Sequence, residues 1–244
     1  MPHDLPEPCE YSILDGPVGC LLLHGFTSSP GEFAPLIQYL REQHLSILAP
    51  LLPGHGTKPK DLNNYTPSDF VASAEKHLFK LKQHCSSVFV IGLSMGAGLS
   101  LSLASQHTFN GLILLSAGTR PKDWRIPFLP LLRHFFTTLP KSKHSINESY
   151  FSYSSTPVLC ASKLLQFYRT LETLLPGITI PSLSFHSRTD PVFPISNCHR
   201  INETMPSTHK KLILLNNCGH VLTVEPEMKQ YFPEILKFIK EYTP

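Results

Sequence analysis

Residues 88–96 read Val-Phe-Val-Ile-Gly-Leu-Ser-Met-Gly, and this stretch decides the fold. The β-branched and aromatic run predicts a buried strand, and the Gly92-x-Ser94-x-Gly96 pattern predicts a sharp turn into a helix. Glycine at both positions removes Cβ atoms that would collide where strand and helix approach closely. Residues 97–104 are small and apolar, which is typical of a helix packed against a sheet. We therefore expect Ser94 at the tip of the turn, as a nucleophile rather than part of a plain strand-turn-helix unit.

Composition and charge restrict the class of protein. A chain of 244 residues can bury a large core, and α/β folds commonly use that length without splitting, so we expect a single domain over residues 1–244. The net charge of +3 is small and scattered, which argues against a nucleic-acid partner. Residues 1–8 lack the basic and apolar regions of a secretory signal, so we expect a cytoplasmic protein.

The sequence also lacks the patterns that are typical of a membrane span or a metal site. Residues 85–119 carry no formal charge, but Ser, Gly, His and Asn interrupt them too often for a membrane span. We expect a buried strand-helix-strand unit there and no stable membrane insertion. The six cysteines lack the paired short spacing of zinc sites, so we expect free buried thiols and no metal site.

A second strand-to-helix turn precedes the first. Residues 18–23 predict a buried strand, which ends in a loop over residues 24–30. Ser29 and Glu32 have the Ser-x-x-Glu spacing of a capping box, which predicts a helix start. A loop in this position can point a backbone N–H at an anion. We expect His24 to brace the loop through hydrogen bonds rather than to act in catalysis.

Strands and helices then alternate along the chain. Residues 45–49 predict a strand, and the glycine-flanked His55 after it is expected to be structural. Thr66-Pro67-Ser68-Asp69 predicts the start of a helix with one apolar side. Residues 111–116 predict another buried strand. This alternation predicts an α/β fold with a mostly parallel central sheet flanked by helices.

The alternation stops over residues 120–180, a proline-rich stretch with expected helices near 129–139 and 161–175. Insertions of this size over the mouth of a sheet are usually caps or binding loops, so we expect a small helical cap inserted before the next strand. The stretch is rich in large apolar side chains, most of which we expect in the core of the cap. We expect the remainder to line an apolar acyl-chain pocket, with these candidates from the cap: Trp124, Phe128 and Phe135.

Two polar residues follow the last predicted strands. Asp190 comes after a strand over residues 178–186, and His220 follows a strand over residues 210–215. The carboxyl ends of parallel strands are where open α/β proteins place their ligands. The order Ser94, Asp190, His220 is the order of the triad in α/β-hydrolases. We therefore expect these side chains to meet at one edge of the sheet.

With these residues assigned, the chain over residues 17–240 resembles the α/β-hydrolases, and among them the small carboxylesterase and monoacylglycerol lipase family. The matching segments are Leu23-His24-Gly25-Phe26, Pro53-Gly54-His55-Gly56, Gly92-Leu93-Ser94-Met95-Gly96, Asp190 before Pro191, and Gly219-His220. The cap is the part that the resemblance covers least.

The resemblance implies a serine hydrolase of carboxylic esters that needs no cofactor. Ser94 would attack the ester, His220 would act as base and then acid, and Asp190 would orient the imidazole. The backbone N–H groups of Phe26 and Met95 would form the oxyanion hole. Phe26 is also a candidate for the acyl pocket.

Other functions stay open at this point. A thioesterase or an acyltransferase would use the same triad, and a non-catalytic ligand-binding protein would use the same scaffold. The apolar cap would also suit docking on a membrane surface, although no strong basic flank accompanies it. The expected partner is a small-molecule ester or a monoacylglycerol, and the sequence leaves the oligomeric state and the acyl chain length open.

Overall fold

A computed structural model describes residues 8–123, 128–141 and 150–244. Trp124, one of the candidates for the acyl pocket, lies outside these ranges. The described strands are β1 (Tyr11–Ile13), β2 (Val18–Leu23), β3 (Ser46–Ala49), β4 (Ser87–Leu93), β5 (Gly111–Leu115), β6 (Thr138–Pro140), β7 (Ser155–Pro157), β8 (Ser182–Ser187) and β9 (Lys210–Leu215). The described α-helices are α1 (Ala34–Arg41), α2 (Pro67–His84), α3 (Met95–Ala104), α4 (Leu129–Leu132), α5 (Val158–Leu174), α6 (Ser196–Thr204), α7 (Pro226–Lys229) and α8 (Phe232–Glu241).

Seven of these strands form one sheet in the order β1-β3-β2-β4-β5-β8-β9. All neighbouring pairs are parallel except β1 with β3. Leu23 of β2 pairs with Gly92 of β4, and Leu93 of β4 pairs with Leu115 of β5. The carboxyl ends of these strands therefore reach the same edge of the sheet. The predicted mostly parallel α/β fold is confirmed.

Both faces of the sheet are buried. Successive side chains of a strand point to opposite faces, and those of β4 enter two different apolar cores. In β4, Val88 and Val90 belong to an apolar core shared with α2, α3 and α5. Phe89, Ile91 and Leu93 belong to a second core shared with α1 and α8. A strand buried on both faces reads as a continuous apolar run, which is the pattern from which β4 was predicted.

The two predicted helix starts have different outcomes. At α2, the Thr66 side chain accepts from the Asp69 N–H and the Asp69 carboxylate accepts from the Thr66 N–H, so this capping box is confirmed. At Ser29 the helix is a 3₁₀ turn, Pro30–Phe33, without a side-chain cap, so the capping box predicted there is wrong. The Glu32 carboxylate instead accepts from the N–H of Gly25.

The chain between β5 and β8 departs from prediction in part. The helix predicted over residues 129–139 is wrong beyond its first turn, since α4 ends at Leu132 and β6 pairs with β7 in a small antiparallel sheet. Thr137 and Thr138 are β-branched and favour extended backbone over helix. The second predicted helix is present as α5, which packs against α2 and α3.

Smaller differences concern the edges of the fold. The antiparallel β1 has no counterpart among the predicted strands, and β8 begins at Ser182 rather than at residue 178. All six cysteines are free, and five are buried while Cys9 is exposed. Within the described residues, the structure has no helix that is both long and apolar enough to cross a membrane.

Candidate active site

Ser94 lies at the turn between β4 and α3 and is almost fully buried. Its backbone φ of 55° is left-handed, a conformation that costs a non-glycine residue about 1–3 kcal/mol. The two flanking glycines make the turn possible. A Cβ on Gly92 would collide with the Gly96 carbonyl, and a Cβ on Gly96 would overlap the Leu23 carbonyl. The strand and helix therefore meet more closely than any side chain allows.

His220 joins the other two predicted site residues. It follows β9, and its Nε2 lies 2.7 Å from Ser94 Oγ. Its Nδ1 lies 2.8 Å from Asp190 Oδ2 and 3.0 Å from Oδ1. Because the carboxylate accepts from Nδ1–H, Nε2 is left as an acceptor for the serine hydroxyl. The three side chains thus form one continuous hydrogen-bonded chain across the ends of β4, β8 and β9.

Asp190 is a buried carboxylate with a full set of donors. Burial by itself would raise its pKa, but hydrogen bonding and charge from His220 and the N–H groups of Val192 and Phe193 hold the pKa below its usual value. The two N–H groups lie 2.7 Å and 3.0 Å from Oδ1. Asp190 is therefore ionised at neutral pH, and it can both orient the imidazole and stabilise its positive charge.

Residues that sequence reasoning missed hold the loop around His220. The Ser116 hydroxyl donates to the His220 carbonyl at 2.7 Å, and the Gly219 N–H donates to Glu225 Oε1 at 3.0 Å. The Phe193 ring lies 5.7 Å from the imidazole, centroid to centroid. Ser116 follows the end of β5, the same strand-end signal by which Asp190 and His220 were found, so the sequence could have identified it.

The turn after β2 carries one of the two predicted oxyanion donors. Among the described residues, the Phe26 N–H donates no hydrogen bond. Met95 is the first residue of α3, so its N–H has no partner within the helix. Thr27 follows with a left-handed φ of 63°, and its N–H donates to His55 Nε2 at 3.2 Å. Both candidate donors belong to backbone next to the Ser94 turn.

His24 and His55 contact backbone groups, in line with the predicted bracing role. His24 Nε2 accepts from the Leu52 N–H at 3.1 Å, and its Nδ1 lies 2.9 Å from the Gly25 carbonyl. Burial lowers the pKa of His24 to about 4. Burial and the neighbouring His24 also lower the pKa of His55. Both imidazoles are neutral at pH 7 and join the turn after β2 to the loop after β3.

The aromatic candidates for the acyl pocket differ in their surroundings. Phe26 is partly buried and packs against a small apolar cluster formed by Leu129, Val158 and Ala161. Phe128 and Phe135 are 52% and 73% exposed. Of the described candidates, Phe26 is therefore the one that joins this cluster to the turn beside Ser94.

No metal-binding cluster accompanies the site within the described ranges. Groups of three or more His, Cys, Asp or Glu side chains that could hold a metal ion are absent there. The hydrogen-bonded chain of Ser94, His220 and Asp190 can perform nucleophilic and acid–base chemistry with protein groups alone.

The sequence matches a family of known hydrolases. A family model described as serine aminopeptidase, S33, matches residues 19–227. A thermostable monoacylglycerol lipase from Bacillus sp. (strain H-257) is 32% identical over 93% of this chain and 92% of that protein. A carboxylesterase from Bacillus subtilis (strain 168) is 24% identical over 97% of both proteins.

Solved structures share the architecture. The structure of a metagenome-derived lipolytic enzyme superposes with a TM-score of 0.90 at 29% identity, covering 97% of this chain and 99% of that one. A monoacylglycerol lipase from Paleococcus ferrophilus superposes with a TM-score of 0.80 at 13% identity, covering 96% and 98%. At that identity the second likeness concerns the fold alone.

Proposed function

The chain belongs to the serine aminopeptidase S33 family of α/β-hydrolases, and from this premise we infer that it hydrolyses carboxylic esters. It is a serine ester hydrolase of the carboxylesterase and monoacylglycerol lipase type, since relatives with these names match nearly its whole length. The observation that carries the proposed mechanism is the 2.7 Å contact between His220 Nε2 and Ser94 Oγ. A serine hydroxyl becomes an effective nucleophile when a base so close removes its proton.

We propose the following division of work among the three side chains. Ser94 Oγ attacks the carbonyl carbon of the ester while its proton passes to His220 Nε2. His220 then gives this proton to the alcohol oxygen as the carbon–oxygen bond breaks, which leaves an acyl-enzyme. Water attacks the acyl group with His220 again as base, so the acid leaves and Ser94 regains its proton. Asp190 stabilises the imidazolium in both steps.

The oxyanion of each tetrahedral intermediate needs donors of its own. We propose the Phe26 and Met95 N–H groups for this role. Loss of one such donor typically costs about 3–4 kcal/mol of transition-state stabilisation. Because the donors belong to the backbone, replacing the side chain at either position leaves the donor present.

We propose that residues 120–180 form a cap within a single domain spanning residues 1–244. The Arg120 guanidinium pairs with the Glu172 carboxylate at 2.6–2.7 Å, which ties the first residue of this stretch to α5. We further propose Phe26, Trp124, Phe128 and Phe135 as acyl-pocket residues, supported at Phe26 by its apolar neighbours from α4 and α5. The substrates are small-molecule esters, and monoacylglycerols are the class that we propose.

One experiment tests this function directly. Wild-type protein is assayed on p-nitrophenyl esters from acetate to palmitate and on monoacylglycerol, and is then labelled with a fluorophosphonate. We expect ester turnover and labelling that maps to Ser94. Ser94→Ala should lose both without losing the fold, while Ser100→Ala should keep both, because the Ser100 hydroxyl donates to the Gly96 carbonyl of its own helix. Turnover by Ser94→Ala contradicts the mechanism.

A further inference from the structure

Glu32 is a fully buried carboxylate with no direct part in the proposed reaction. Its Oε1 accepts from the Gly25 N–H at 2.7 Å, and its Oε2 accepts from the Ser28 hydroxyl at 2.5 Å. Gly25 and Ser28 are the two ends of the turn that contains Phe26. Both carboxylate oxygens therefore hold the backbone on either side of the proposed oxyanion donor.

Lys141 supports the same turn. Its Nζ donates to Thr27 Oγ1 at 2.5 Å, and this hydroxyl donates to the Phe26 carbonyl at 2.5 Å. Thr27 has a left-handed φ of 63°, which neighbouring contacts must stabilise. The turn is thus held between a buried carboxylate and an ammonium group of opposite charge.

A third contact links Glu32 to the loop that carries the base. The Thr223 hydroxyl donates to the backbone carbonyl of Glu32, and Thr223 lies three residues after His220. The side chain of Glu32 therefore contacts the donor turn, while its backbone contacts the loop that follows the base. A displacement of Glu32 would therefore disturb both the Phe26 turn and the loop that follows His220.

On the basis of the function proposed above, we propose that Glu32 is a positioning residue for ester hydrolysis. Its carboxylate fixes the Phe26 N–H where the oxyanion develops, and Lys141 provides the counter-charge. A local signal in the sequence assigned Glu32 to a helix cap, whereas its partners lie on the turn before that helix.

The charges around Glu32 give the arrangement a dependence on pH. Burial raises the pKa of Glu32 to about 7, although Ser28, Gly25 and Lys141 favour the ionised form. Burial lowers the pKa of Lys141 to about 8. Tyr150 also faces Glu32, and its pKa is raised by burial and by the charges of Glu32 and Glu225. A protonated Glu32 has one acceptor fewer for the turn, so kcat should fall as the pH falls through about 7.

The first test measures kcat and KM separately for variants of Glu32. Glu32→Ala should lower kcat about 100-fold, the typical cost of a catalytic group misplaced by about 1 Å, with KM within about 3-fold of wild type because the substrate contacts remain. Glu32→Gln keeps one oxygen acceptor for the Gly25 N–H but, like protonated Glu32, lacks the second acceptor for the Ser28 hydroxyl, so its kcat should lie between those of Glu32→Ala and wild type. A folded Glu32→Ala variant with wild-type kcat would overturn the proposal.

A matched control separates positioning from general stability. The Asn110 side chain also accepts from a backbone N–H, that of Val88 at 2.9 Å, but at the other end of β4. Asn110→Ala should lower the melting temperature and leave kcat unchanged. If kcat falls equally in Asn110→Ala and Glu32→Ala, the effect is general and the proposal fails.

The pH dependence of kcat distinguishes positioning from a merely structural role, which would leave the acid limb unchanged. Lys141→Met keeps the length of the side chain but removes the charge that favours ionised Glu32, so the acid limb of kcat should move to higher pH. In the Glu32→Gln/Lys141→Met double variant that limb should return to the position set by the remaining groups. An acid limb that stays fixed in Lys141→Met contradicts the pairing of Glu32 with Lys141.

Amide hydrogen exchange tests the turn independently of turnover. Exchange in a peptide covering residues 24–29 should be faster in Glu32→Ala than in wild type, whereas the Asn110→Ala variant should match wild type there. Unchanged exchange in Glu32→Ala overturns the positioning role even if the enzyme is active. Wild-type protein that turns over no ester instead overturns the proposed function, and the exchange result still decides whether Glu32 holds the turn.

Discussion

The Ser116 hydroxyl donates a 2.7 Å hydrogen bond to the carbonyl of His220. Ser116 follows β5, the strand between those that lead to Ser94 and Asp190, and it is fully buried. Ser116 thus anchors the His220 loop through the backbone carbonyl of His220, while the two imidazole nitrogens contact Asp190 and Ser94.

We expect Ser116→Ala to lower kcat about 10-fold with little change in KM. The variant leaves a buried carbonyl without its donor, which costs about 1–3 kcal/mol, and the His220 loop can then move away from Ser94. Steady-state kinetics on a p-nitrophenyl ester measures both constants. A rise in KM without a drop in kcat would indicate that Ser116 contacts the substrate instead.

Gly96→Ala should be strongly destabilising. Its new Cβ would overlap the carbonyl of Leu23 and lie 2.9 Å from that of His24. Leu23 is the last residue of β2 and His24 follows it directly, so this backbone cannot move without disturbing the sheet, and we expect a loss of about 3 kcal/mol or more. Chemical denaturation measures the free energy of unfolding.

Gly177→Ala is the matched control for this variant. A Cβ at Gly177 meets no atom within 4 Å, so the substitution should be neutral or stabilising by about 0.4–1 kcal/mol. Equal stability of the two variants would mean that the approach of β2 and α3 is looser than described.

Asp190→Asn should lower kcat by roughly 10⁴-fold, because an amide cannot select the imidazole tautomer that accepts from the serine. The side chain keeps its shape, so the melting temperature at neutral pH should change far less than activity. Measuring kcat and thermal unfolding on one preparation checks both statements. A large loss of stability with little loss of kcat would assign Asp190 to the fold rather than to the reaction.

Glu32→Gln should change the pH dependence of stability. The pKa of Glu32 rises from 4.5 to about 7 on folding because burial disfavours its charge. The folded state therefore binds the extra proton, and wild-type protein loses stability as the pH rises from about 4.5 through about 7. The loss is at most about 3 kcal/mol. Glutamine does not titrate, so the melting temperature of the variant minus that of wild type should rise between pH 5 and pH 8. A difference in melting temperature that does not change with pH would show that Glu32 does not titrate in this range.

The parts of the fold that the sequence predicted share one property: the signal and the structure lie in the same short segment. The apolar run 88–93 and the Gly-x-Ser-x-Gly turn need no distant partner to be recognised. Strand ends then locate Asp190 and His220, because parallel strands deliver their carboxyl ends to one edge.

The parts that were missed depend on contacts between distant segments. Glu32 has the local spacing of a helix cap, and only the folded turn shows that Gly25 is its partner. The strands β6 and β7 exist through pairing with each other, whereas each alone has the composition of a loop. The exposure of Phe128 and Phe135 likewise depends on how the chain between β5 and β8 packs, which periodicity does not encode.

The order of the strands along the chain has a consequence for synthesis of the protein. Ser94 and His220 are 126 residues apart in the chain, and His220 lies in the loop that follows β9, the last described strand. A growing chain on the ribosome therefore completes β4 and the Ser94 turn long before His220 is synthesised. Until β9 docks beside β8, the His220 imidazole is not held beside Ser94, and the Ser94 hydroxyl lacks the hydrogen-bond acceptor that it has in the folded protein.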